Sequence, residues 1–550
     1  MLRKQCVAVI AIVSLVGGLG IVLAVSPASA ASAAPARFVP VSPDRLLDTR
    51  SSSIVASGGG VDFAVTERNG VPASASAVVL NLTATASGGA GYVAAYPFGS
   101  TQPTASNLNI PGPGFTLANL VTVRVGSGGR VRLFSSIETH LIADIFGYYE
   151  PSGATSAGRF IPVGPDRTLD TRSDGGRLAA GSSRRVTLRG VPISASAAVI
   201  NLTVVDGSPG FWTVHGAGTP RPPTSNVNIA VVGQVVPNQA IVPVVNGSID
   251  VFTASGGQFI VDVSGYFSGG NSGEGTDGLF ISVDPLRALD TRGSLNPLGK
   301  GVKPGPGWTV SIPAAGRPGA PSSVSAVVVN TTMTAARGSG YVTAHPAGVR
   351  RPLVSNVNAG YVGHTIANHA VVPVSGEGMS LFTETGSHLI VDIAGYFTGP
   401  PQSATTTAYN PSWTPSFPGR IVIPGLGVNE LIRDGLSDEL VNMGPVHWPG
   451  TGGLGVPGNM AIFGHRVSHS APFQNIDALR AGDSMFITVE DVTWRYEVSK
   501  TSIVLPNNIG VLNPPTGAST LTLIACHPPG SVAYRIVVEA VAVELIPLAP

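Results

Sequence analysis

Apolar positions along the chain fall into short runs that are separated by clusters of Gly, Pro, Ser and Asn. Runs of about four to eight residues between such turn-forming clusters predict β-strands, because a helix needs a longer stretch with a different period. Residues 120–125, 131–134 and 140–146 are examples. The pattern therefore predicts an all-β chain of many short antiparallel strands.

One arrangement of these runs occurs three times. Each copy opens on an apolar strand ending in Leu-Asp-Thr-Arg, and continues through an apolar strand ending in Asn and a Ser-Asn-x-Asn element. It closes on Asp-x-x-Gly-Tyr-aromatic. The opening strands begin at Phe38, Phe160 and Phe280, and the second apolar strands end at Asn81, Asn201 and Asn330. The Ser-Asn-x-Asn elements begin at Ser106, Ser225 and Ser355, and the closing motifs begin at Asp144, Asp262 and Asp392. We therefore assign residues 34–150, 151–270 and 271–398 to three tandem β-sandwich or jelly-roll-like repeats. A propeller is the alternative, although each unit is long for one blade.

Each repeat is long enough to hold its own core, so we expect independent, bead-like units. We interpret Asp-Thr-Arg as an Asp–Arg bridge that pins the first strand, with Asn side chains satisfying buried backbone at turns. A ligand site is the less favoured interpretation, since a polar residue that recurs in a repeat usually belongs to the scaffold. The repeats resemble tandem modules of unassigned role in exported proteins of Gram-positive bacteria. Three copies favour multivalent binding of cell-wall polymer, or a spacer that holds the following domain at a set height.

Charge and the N-terminus limit the partners and the location. Only 11% of the 550 residues are charged and the net charge is +1, so we expect no nucleic-acid partner. Residues 1–33 carry a basic start, an apolar run and Ala-x-Ala sites, which predict a signal peptide cleaved after Ala30 or Ala33. The apolar run is also long enough to remain as a signal anchor in the membrane. Either outcome places the protein outside the cell, at the membrane face or in the cell wall.

The last part of the chain differs from the repeats. Residues 399–418 are rich in Pro, Ser and Thr, which is typical of an extended linker. The repeat pattern does not return in residues 419–550, which we assign to a separate domain. Strands are predicted over residues 420–428, 458–466, 483–489, 493–504, 521–526 and 534–545.

The candidate chemistry lies in this last domain. The chain has two cysteines, Cys6 and Cys526, which excludes a disulfide framework and a cysteine metal cluster. Two prolines end the strand just after Cys526, so its thiol is expected to be accessible. A reactive thiolate needs a nearby cation or base, and His465 and Arg535 are the candidates. The short loop after Cys526 predicts that it lies beside Arg535, whereas contact with His465 depends on the fold. No metal-ligand spacing stands out, and we expect no cofactor.

The segment from Arg420 to Leu545 resembles a sortase. The resemblance rests on several motifs in order, of which Gly-His465-Arg, Thr-Leu-Ile-Ala-Cys526 and Tyr-Arg535-Ile-Val-Val are the most specific. Further matches are an entering Arg-Ile-x-Ile-Pro strand, a Trp-Pro-Gly-Thr turn, a Pro-Phe pair and a Gly-Asp turn. Gly-His-Arg and Cys-His-Pro are most similar to sortases of classes D and E. Ala525 departs from the Thr that the family usually has before the cysteine, and we expect it to tune the site.

The resemblance implies a closed eight-stranded β-barrel and a cysteine transpeptidase. Cys526 would attack the Thr carbonyl of a Leu-Pro-x-Thr-Gly or Leu-Ala-x-Thr-Gly signal in a surface protein, forming a thioacyl enzyme. His465 would protonate the leaving amine and later deprotonate the incoming one, and Arg535 would stabilise the oxyanion. The acceptor would be an amine of a cell-wall precursor or a pilin lysine, with water giving hydrolysis.

Alternatives exist for the base and for the function. His527, His469 and His447 rank below His465: the first adjoins the thiol and is expected to point away, and the last is expected to shape a turn. The chain ends without a sorting signal, apolar span and basic tail, so we expect an enzyme and not a sortase substrate. The alternative function is a non-catalytic surface adhesive or spacer with a degenerate sortase barrel.

Overall fold

The computed structural model describes residues 33–297, 300–306, 308–349, 351–402, 419–436, 438–448, 451–454, 458–489, 492–512 and 519–545. These ranges hold 32 strands and one short α-helix, so the predicted all-β class is confirmed. The predicted signal segment, apart from residue 33, and most of the predicted linker lie outside them. No helix in these ranges is long and apolar enough to cross a membrane.

Each repeat is a sandwich of two four-stranded antiparallel sheets. An inner sheet contains the opening and closing strands of the repeat, and an outer sheet packs on one of its faces. The strands of repeat 1 are β1 (Ala36–Asp48), β2 (Gly60–Ala64), β3 (Ala77–Thr85), β4 (Gly91–Pro97), β5 (Leu108–Ile110), β6 (Leu117–Arg124), β7 (Arg130–Ser135) and β8 (His140–Pro151). Its inner sheet has the order β1-β8-β3-β6 and its outer sheet the order β2-β7-β4-β5.

Repeats 2 and 3 have the same strand order as repeat 1. The strands of repeat 2 are β9 (Phe160–Asp170), β10 (Ser182–Thr187), β11 (Ala197–Val205), β12 (Gly210–Gly216), β13 (Val227–Ile229), β14 (Val236–Pro243), β15 (Ser248–Thr253) and β16 (Gln258–Phe267). Those of repeat 3 are β17 (Phe280–Asp290), β18 (Trp308–Ile312), β19 (Val324–Thr334), β20 (Gly340–Pro346), β21 (Val357–Ala359), β22 (Ile366–Pro373), β23 (Met379–Thr383) and β24 (His388–Thr398). The predicted β-sandwich repeats are thus confirmed.

The inner sheets are buried on both faces. In β3, every residue except the last is buried, and the same holds for β11. One face of β3, with Val78 and Leu80, packs into the sandwich of its own repeat. The opposite face, with Ala77 and Val79, joins a core cluster that draws residues from all three repeats. A strand buried on both faces reads as a continuous apolar run, which explains the pattern in the sequence.

Six aromatic rings fill the centre of this shared cluster, two from each repeat. Tyr149 stacks on Phe280 with ring centroids 4.1 Å apart, and Phe38 stacks on Phe267 at 4.3 Å. Phe160 and Phe397 complete the group at 4.6 Å from each other. Each of these three pairs joins two different repeats. Burial of six rings therefore couples the folding of all three units.

Asparagine side chains tie the repeats together in a closed cycle. The Asn predicted to end the central apolar strand of each repeat lies within that strand, which continues for four residues beyond it, so this predicted strand end is wrong. Its side chain donates a hydrogen bond to the carbonyl of the Ser-Asn-x-Asn element in the next repeat. These bonds run from Asn81 to Ser225 (2.6 Å), from Asn201 to Ser355 (2.9 Å) and from Asn330 to Ser106 (2.7 Å). The expectation of independent, bead-like units is therefore wrong, because the second apolar face of each inner sheet needs the other repeats to cover it. These three Asn side chains satisfy backbone of a neighbouring repeat, whereas the first Asn of each Ser-Asn-x-Asn element accepts from the backbone of its own repeat, as expected.

The Asp-Thr-Arg motif forms the predicted Asp–Arg bridge. In repeat 1, Asp48 accepts hydrogen bonds from the backbone and guanidinium of Arg50, which lower the pKa of its carboxyl to about 2. Arg45 joins Asp48 to the buried Asp144 on β8, at 3.0 and 2.8 Å. The same bridges occur in repeats 2 and 3. This geometry supports the structural interpretation of the motif.

Repeat 3 joins repeat 1 directly through main-chain pairing. Ala36 at the start of β1 pairs with Phe280, and Phe280 pairs with Phe397 near the end of β24. The two inner sheets thereby form one eight-stranded sheet. Residues 33–402, which we call the repeat body, are thus entered and left at neighbouring positions.

The C-terminal domain is a closed eight-stranded barrel, as expected, with the order β25-β26-β27-β28-β31-β32-β30-β29. Its strands are β25 (Gly419–Ile423), β26 (Val428–Asp434), β27 (Val446–His447), β28 (Gly458–Phe463), β29 (Ser484–Val489), β30 (Val492–Val504), β31 (Ser519–His527) and β32 (Tyr534–Leu545). The single strand predicted over residues 420–428 is wrong. Pro424 has no N–H for the ladder and starts a 3-10 turn, so two strands form.

Alternation along β31 separates the side chains of the barrel core from those of the outer face. Leu521, Leu523 and Ala525 belong to the barrel core. Cys526, offset by one residue from Ala525, lies on the outer face with Ile524. Ala525 is fully buried, so this departure from the family pattern lies in the core behind the thiol.

Candidate active site

Two paired strands bring a thiol and a guanidinium together. Cys526 is the cross-strand partner of Arg535, at the end where β31 passes through its loop into β32. Cys526 is a free, half-buried cysteine. The guanidinium of Arg535 donates to the carbonyls of Val532 and Tyr534, both at 3.0 Å, which orients its fork at the strand end. The predicted proximity of Cys526 and Arg535 is present.

The neighbouring strand carries the imidazole. β28 runs parallel to β31, with Phe463 opposite Ile524. The backbone N–H of Gly464 donates to the carbonyl of Ile524 at 3.1 Å. His465 is the next residue, so it leaves the ladder beside the strand end that carries Cys526. The fold thus brings the three sequence-predicted residues to one end of three adjacent strands.

His465 is held by the helix α1 (Asp438–Met443). Its Nε2 lies 2.9 Å from Oδ1 of Asn442, a distance at which Nε2–H donates to the amide oxygen. The neutral ring then presents Nδ1 for proton transfer. The imidazole of His469 stacks on that of His465 with centroids 5.1 Å apart and an interplanar angle of 25°.

Burial and a like charge act on His465 in the same direction. Partial burial lowers its pKa, the charge of His469 lowers it further, and Asp438 opposes both effects. A lowered pKa makes the neutral ring the main form at neutral pH. His465 can therefore accept a proton there, and its protonated form is the minor one.

A groove of about 370 Å³ runs over this end of the barrel. His465 and Arg535 line it together, with Asp438 and Asn508 as further polar groups. Apolar side chains make up most of its wall, including Val441, Phe463, Leu505, Val511, Ile524 and Val537. Such a mixture suits an extended peptide that has apolar side chains and one reacting bond.

Sequence reasoning missed two elements of this groove. α1 supplies Asn442, Asp438 and Val441, and the segment after β30 supplies Leu505 and Asn508. The consecutive acidic residues that open α1 are a helix-start signal, but six residues give too little periodicity for a prediction.

The other histidines of the domain have different environments. His527 presents Nδ1 to the guanidinium of Arg466 at 2.9 Å. His447 is buried and its Nε2 lies 3.1 Å from the hydroxyl of Thr451, within the turn that it was expected to shape. In the described parts of the chain, no three His, Cys, Asp or Glu side chains gather in a way that could hold a metal ion.

Comparison with known proteins shows which family the barrel is similar to. The family model of the sortase domain matches residues 421–543, which are nearly the whole barrel. The C-terminal barrel is a sortase-like domain. The match covers less than a quarter of the chain and does not extend to the repeat body.

Individual sortases are similar over a comparable share of the chain. Sortase SrtE1 of Streptomyces coelicolor is 31% identical, and the match covers 22% of this chain and 39% of that protein. Sortase A of Streptococcus agalactiae is 27% identical, covering 22% and 51%. The chain therefore spans between two-fifths and about half of these curated relatives.

Solved sortase structures align with the domain as well. Sortase A from Corynebacterium diphtheriae is 29% identical, with a TM-score of 0.23, covering 24% of this chain and 63% of that one. Sortase C-1 from Actinomyces oris is 30% identical, with a TM-score of 0.23, covering 23% and 71%.

Proposed function

We propose that the sortase-like domain is a cysteine transpeptidase that cleaves the Thr–Gly bond of a Leu-Pro-x-Thr-Gly-like or Leu-Ala-x-Thr-Gly-like signal. The proposal rests chiefly on one observation. Cys526 and Arg535 occupy paired positions at one strand end, and His465 follows the residue that is hydrogen-bonded to the same strand. His465 and Arg535 then line one groove as proton carrier and oxyanion donor, and the nucleophile Cys526 lies two residues beyond Ile524, which lines the same groove.

In the first half of the reaction, the Sγ thiolate of Cys526 attacks the carbonyl carbon of the Thr. The carbonyl electrons move onto oxygen, and the Arg535 guanidinium stabilises this oxyanion by charge-assisted hydrogen bonds. When the tetrahedral adduct collapses, the C–N bond breaks. The protonated imidazole of His465 gives its proton to the leaving glycine amine. The products are a thioester on Cys526 and a peptide with a free amino terminus.

In the second half, an amine attacks the thioester carbon. Neutral His465 takes the proton from the incoming nitrogen, and the C–S bond breaks to restore the thiolate. We assign the acceptor to a cell-wall precursor or to a lysine of another surface protein. Water in place of the amine gives hydrolysis. The apolar wall of the groove, with Val441, Leu505 and Val511, suits the Leu and the Pro or Ala of the signal.

The location and partners form part of the same proposal. Residues 1–33 would direct export and, if not cleaved, anchor the chain in the membrane. The domain would then meet sorting-signal-bearing surface proteins at the extracellular face of the membrane or in the cell wall. The repeat body would bind cell-wall polymer. Loss of wall binding after deletion of residues 34–398 would support this binding role, and unchanged binding would exclude it.

The decisive experiment uses fluorogenic peptides that contain a Thr–Gly bond in both sequence contexts. We expect cleavage, a thioacyl adduct on Cys526 by mass spectrometry, and loss of both in Cys526→Ala. Full activity in Cys526→Ala would show that the nucleophile is wrong. If folded wild-type protein gave no cleavage and no adduct with either peptide, the non-catalytic adhesive or spacer would become the better assignment.

A further inference from the structure

Arg466 is a buried cation next to His465. Only 1% of its side chain is exposed, although arginine is normally a surface residue. Removal of a guanidinium from water is unfavourable unless charges and hydrogen bonds compensate for it. Arg466 has no direct role in the proposed mechanism, because the nucleophile, the base and the oxyanion donor are other residues.

Three polar groups surround the guanidinium. Nη2 contacts Oδ2 of Asp477 at 2.6 Å, and Nε donates to the carbonyl of Gln474 at 3.3 Å. Nη1 lies 2.9 Å from Nδ1 of His527. Because guanidinium nitrogens only donate, Nδ1 of His527 must accept, and the neutral ring of His527 carries its proton on Nε2.

These contacts connect the two halves of the candidate site. On one side is the segment that carries His465, closed by a 3.1 Å hydrogen bond from the N–H of Phe473 to the carbonyl of His465. On the other side is the end of β31, where His527 directly follows Cys526. A single side chain thus reaches from the backbone beside the base to the residue beside the nucleophile.

We propose that Arg466 is a positioning residue that keeps the imidazole of His465 and the thiol of Cys526 in register, acting through His527. The idea rests on the proposed transpeptidase function for its kinetic consequence. Transfer steps of this kind are sensitive to placement, since a displacement of about 1 Å can cost roughly 100-fold in rate. His527 serves as an acceptor for Arg466, so its Nδ1 lone pair is occupied and is not free to act as a base toward Cys526.

The test compares Arg466→Met and His527→Phe with Arg480→Met, an exposed arginine whose guanidinium donates to backbone carbonyls in the same segment. We expect a fall in kcat of about 100-fold in each of the first two variants, with KM nearly unchanged. The double variant should be no worse than either single variant, because both remove one linkage. Arg480→Met should retain wild-type kcat.

Two conservative variants keep the test usable if Arg466→Met or His527→Phe fails to fold. Arg466→Lys keeps the charge without the fork, and His527→Gln keeps an acceptor, so both should recover part of kcat. If kcat per folded molecule were unchanged in His527→Phe, Arg466 would be purely structural and the proposal would be overturned.

A second readout separates this proposal from the transpeptidase function. Alkylation of Cys526 by iodoacetamide requires no sorting peptide, and its pH profile reports whether the imidazole is in place beside the thiol. We expect slower alkylation in Arg466→Met than in wild type at neutral pH. Unchanged alkylation would contradict the positioning role, whereas absence of peptide cleavage by the wild type would contradict only the transpeptidase assignment.

Discussion

Cys526 on β31 and Arg535 on β32 are cross-strand partners, and a loop of six residues joins the two strands. A short connection between two hydrogen-bonded strands leaves little freedom in their relative placement. The backbone of Arg535 is therefore fixed beside Cys526, and the carbonyls of Val532 and Tyr534 hold its guanidinium.

This pairing predicts a graded response to substitution. Arg535→Ala should lower kcat by about 100- to 1000-fold, as for the loss of an oxyanion donor. Arg535→Lys should retain part of the activity because it keeps the charge but not the fork. Peptide cleavage kinetics give both values, and Arg495→Ala, which removes an ion pair with Glu544 on the outer barrel wall, is the matched control. Wild-type kcat in Arg535→Ala would remove this residue from the mechanism.

The stacked histidines predict a shift in the pH profile. The charge of His469 lowers the pKa of His465, so His469→Asn should raise that pKa. Protonated His465 would then persist to higher pH, and the alkaline limb of the kcat/KM profile should shift to higher pH. Asp438→Asn removes a group that raises the pKa of His465, so the alkaline limb of this variant should shift to lower pH. Shifts in the same direction in both variants would contradict the assignment of this limb to His465.

The contact between His465 and Asn442 predicts a modest catalytic role for α1. Asn442→Ala removes a hydrogen bond that orients the ring, worth about 1 kcal/mol or roughly fivefold in rate. Asn442→Asp keeps an acceptor and adds a negative charge, so it should raise the pKa of His465 as well. Steady-state kinetics with pH variation distinguish the two variants. Identical profiles for both would show that the side chain does not act on His465.

The cycle of asparagines predicts cooperative unfolding of the repeat body. Asn119 bonds to Asn330 at 3.1 Å and accepts from the backbone N–H of His369 at 2.9 Å, both in another repeat. Asn119→Ala should lower the free energy of unfolding by about 1–3 kcal/mol, because it leaves buried polar groups without partners.

Denaturant unfolding of the full chain provides the measurement. We expect one shifted transition for all three repeats and an unchanged transition for the barrel. Asn109→Ala, at a side chain that accepts a hydrogen bond from Ser106 of its own repeat, is the control and should have a smaller effect. Separate transitions for the three repeats, with only one of them shifted, would contradict the coupling.

The sequence predicted local structure better than it predicted long-range packing. Short apolar runs and turn clusters identified the strands and the three repeats, since both signals are local. The interdependence of the repeats was missed for a physical reason. The sequence of a strand such as β3 indicates that both of its faces are apolar, but it does not indicate which part of the chain covers the second face. In the barrel, the loop from Cys526 to Arg535 was short enough to predict their pairing. The parallel neighbour β28 brings His465 from 61 residues away, and no local pattern encodes that contact.

The chain enters and leaves the repeat body through three adjacent strands. Ala36 on β1 and Phe397 on β24 flank Phe280 on β17, so they are separated by two strand spacings, or about 10 Å. Tension between residues 1–33 and the C-terminal barrel would cross β1, β17 and β24 in shear and bypass most of the repeat body. Most of the repeat body therefore lies outside the path of the force, and its width adds little to the distance between residues 1–33 and the C-terminal barrel. This arrangement argues against the spacer role that three tandem repeats first suggested.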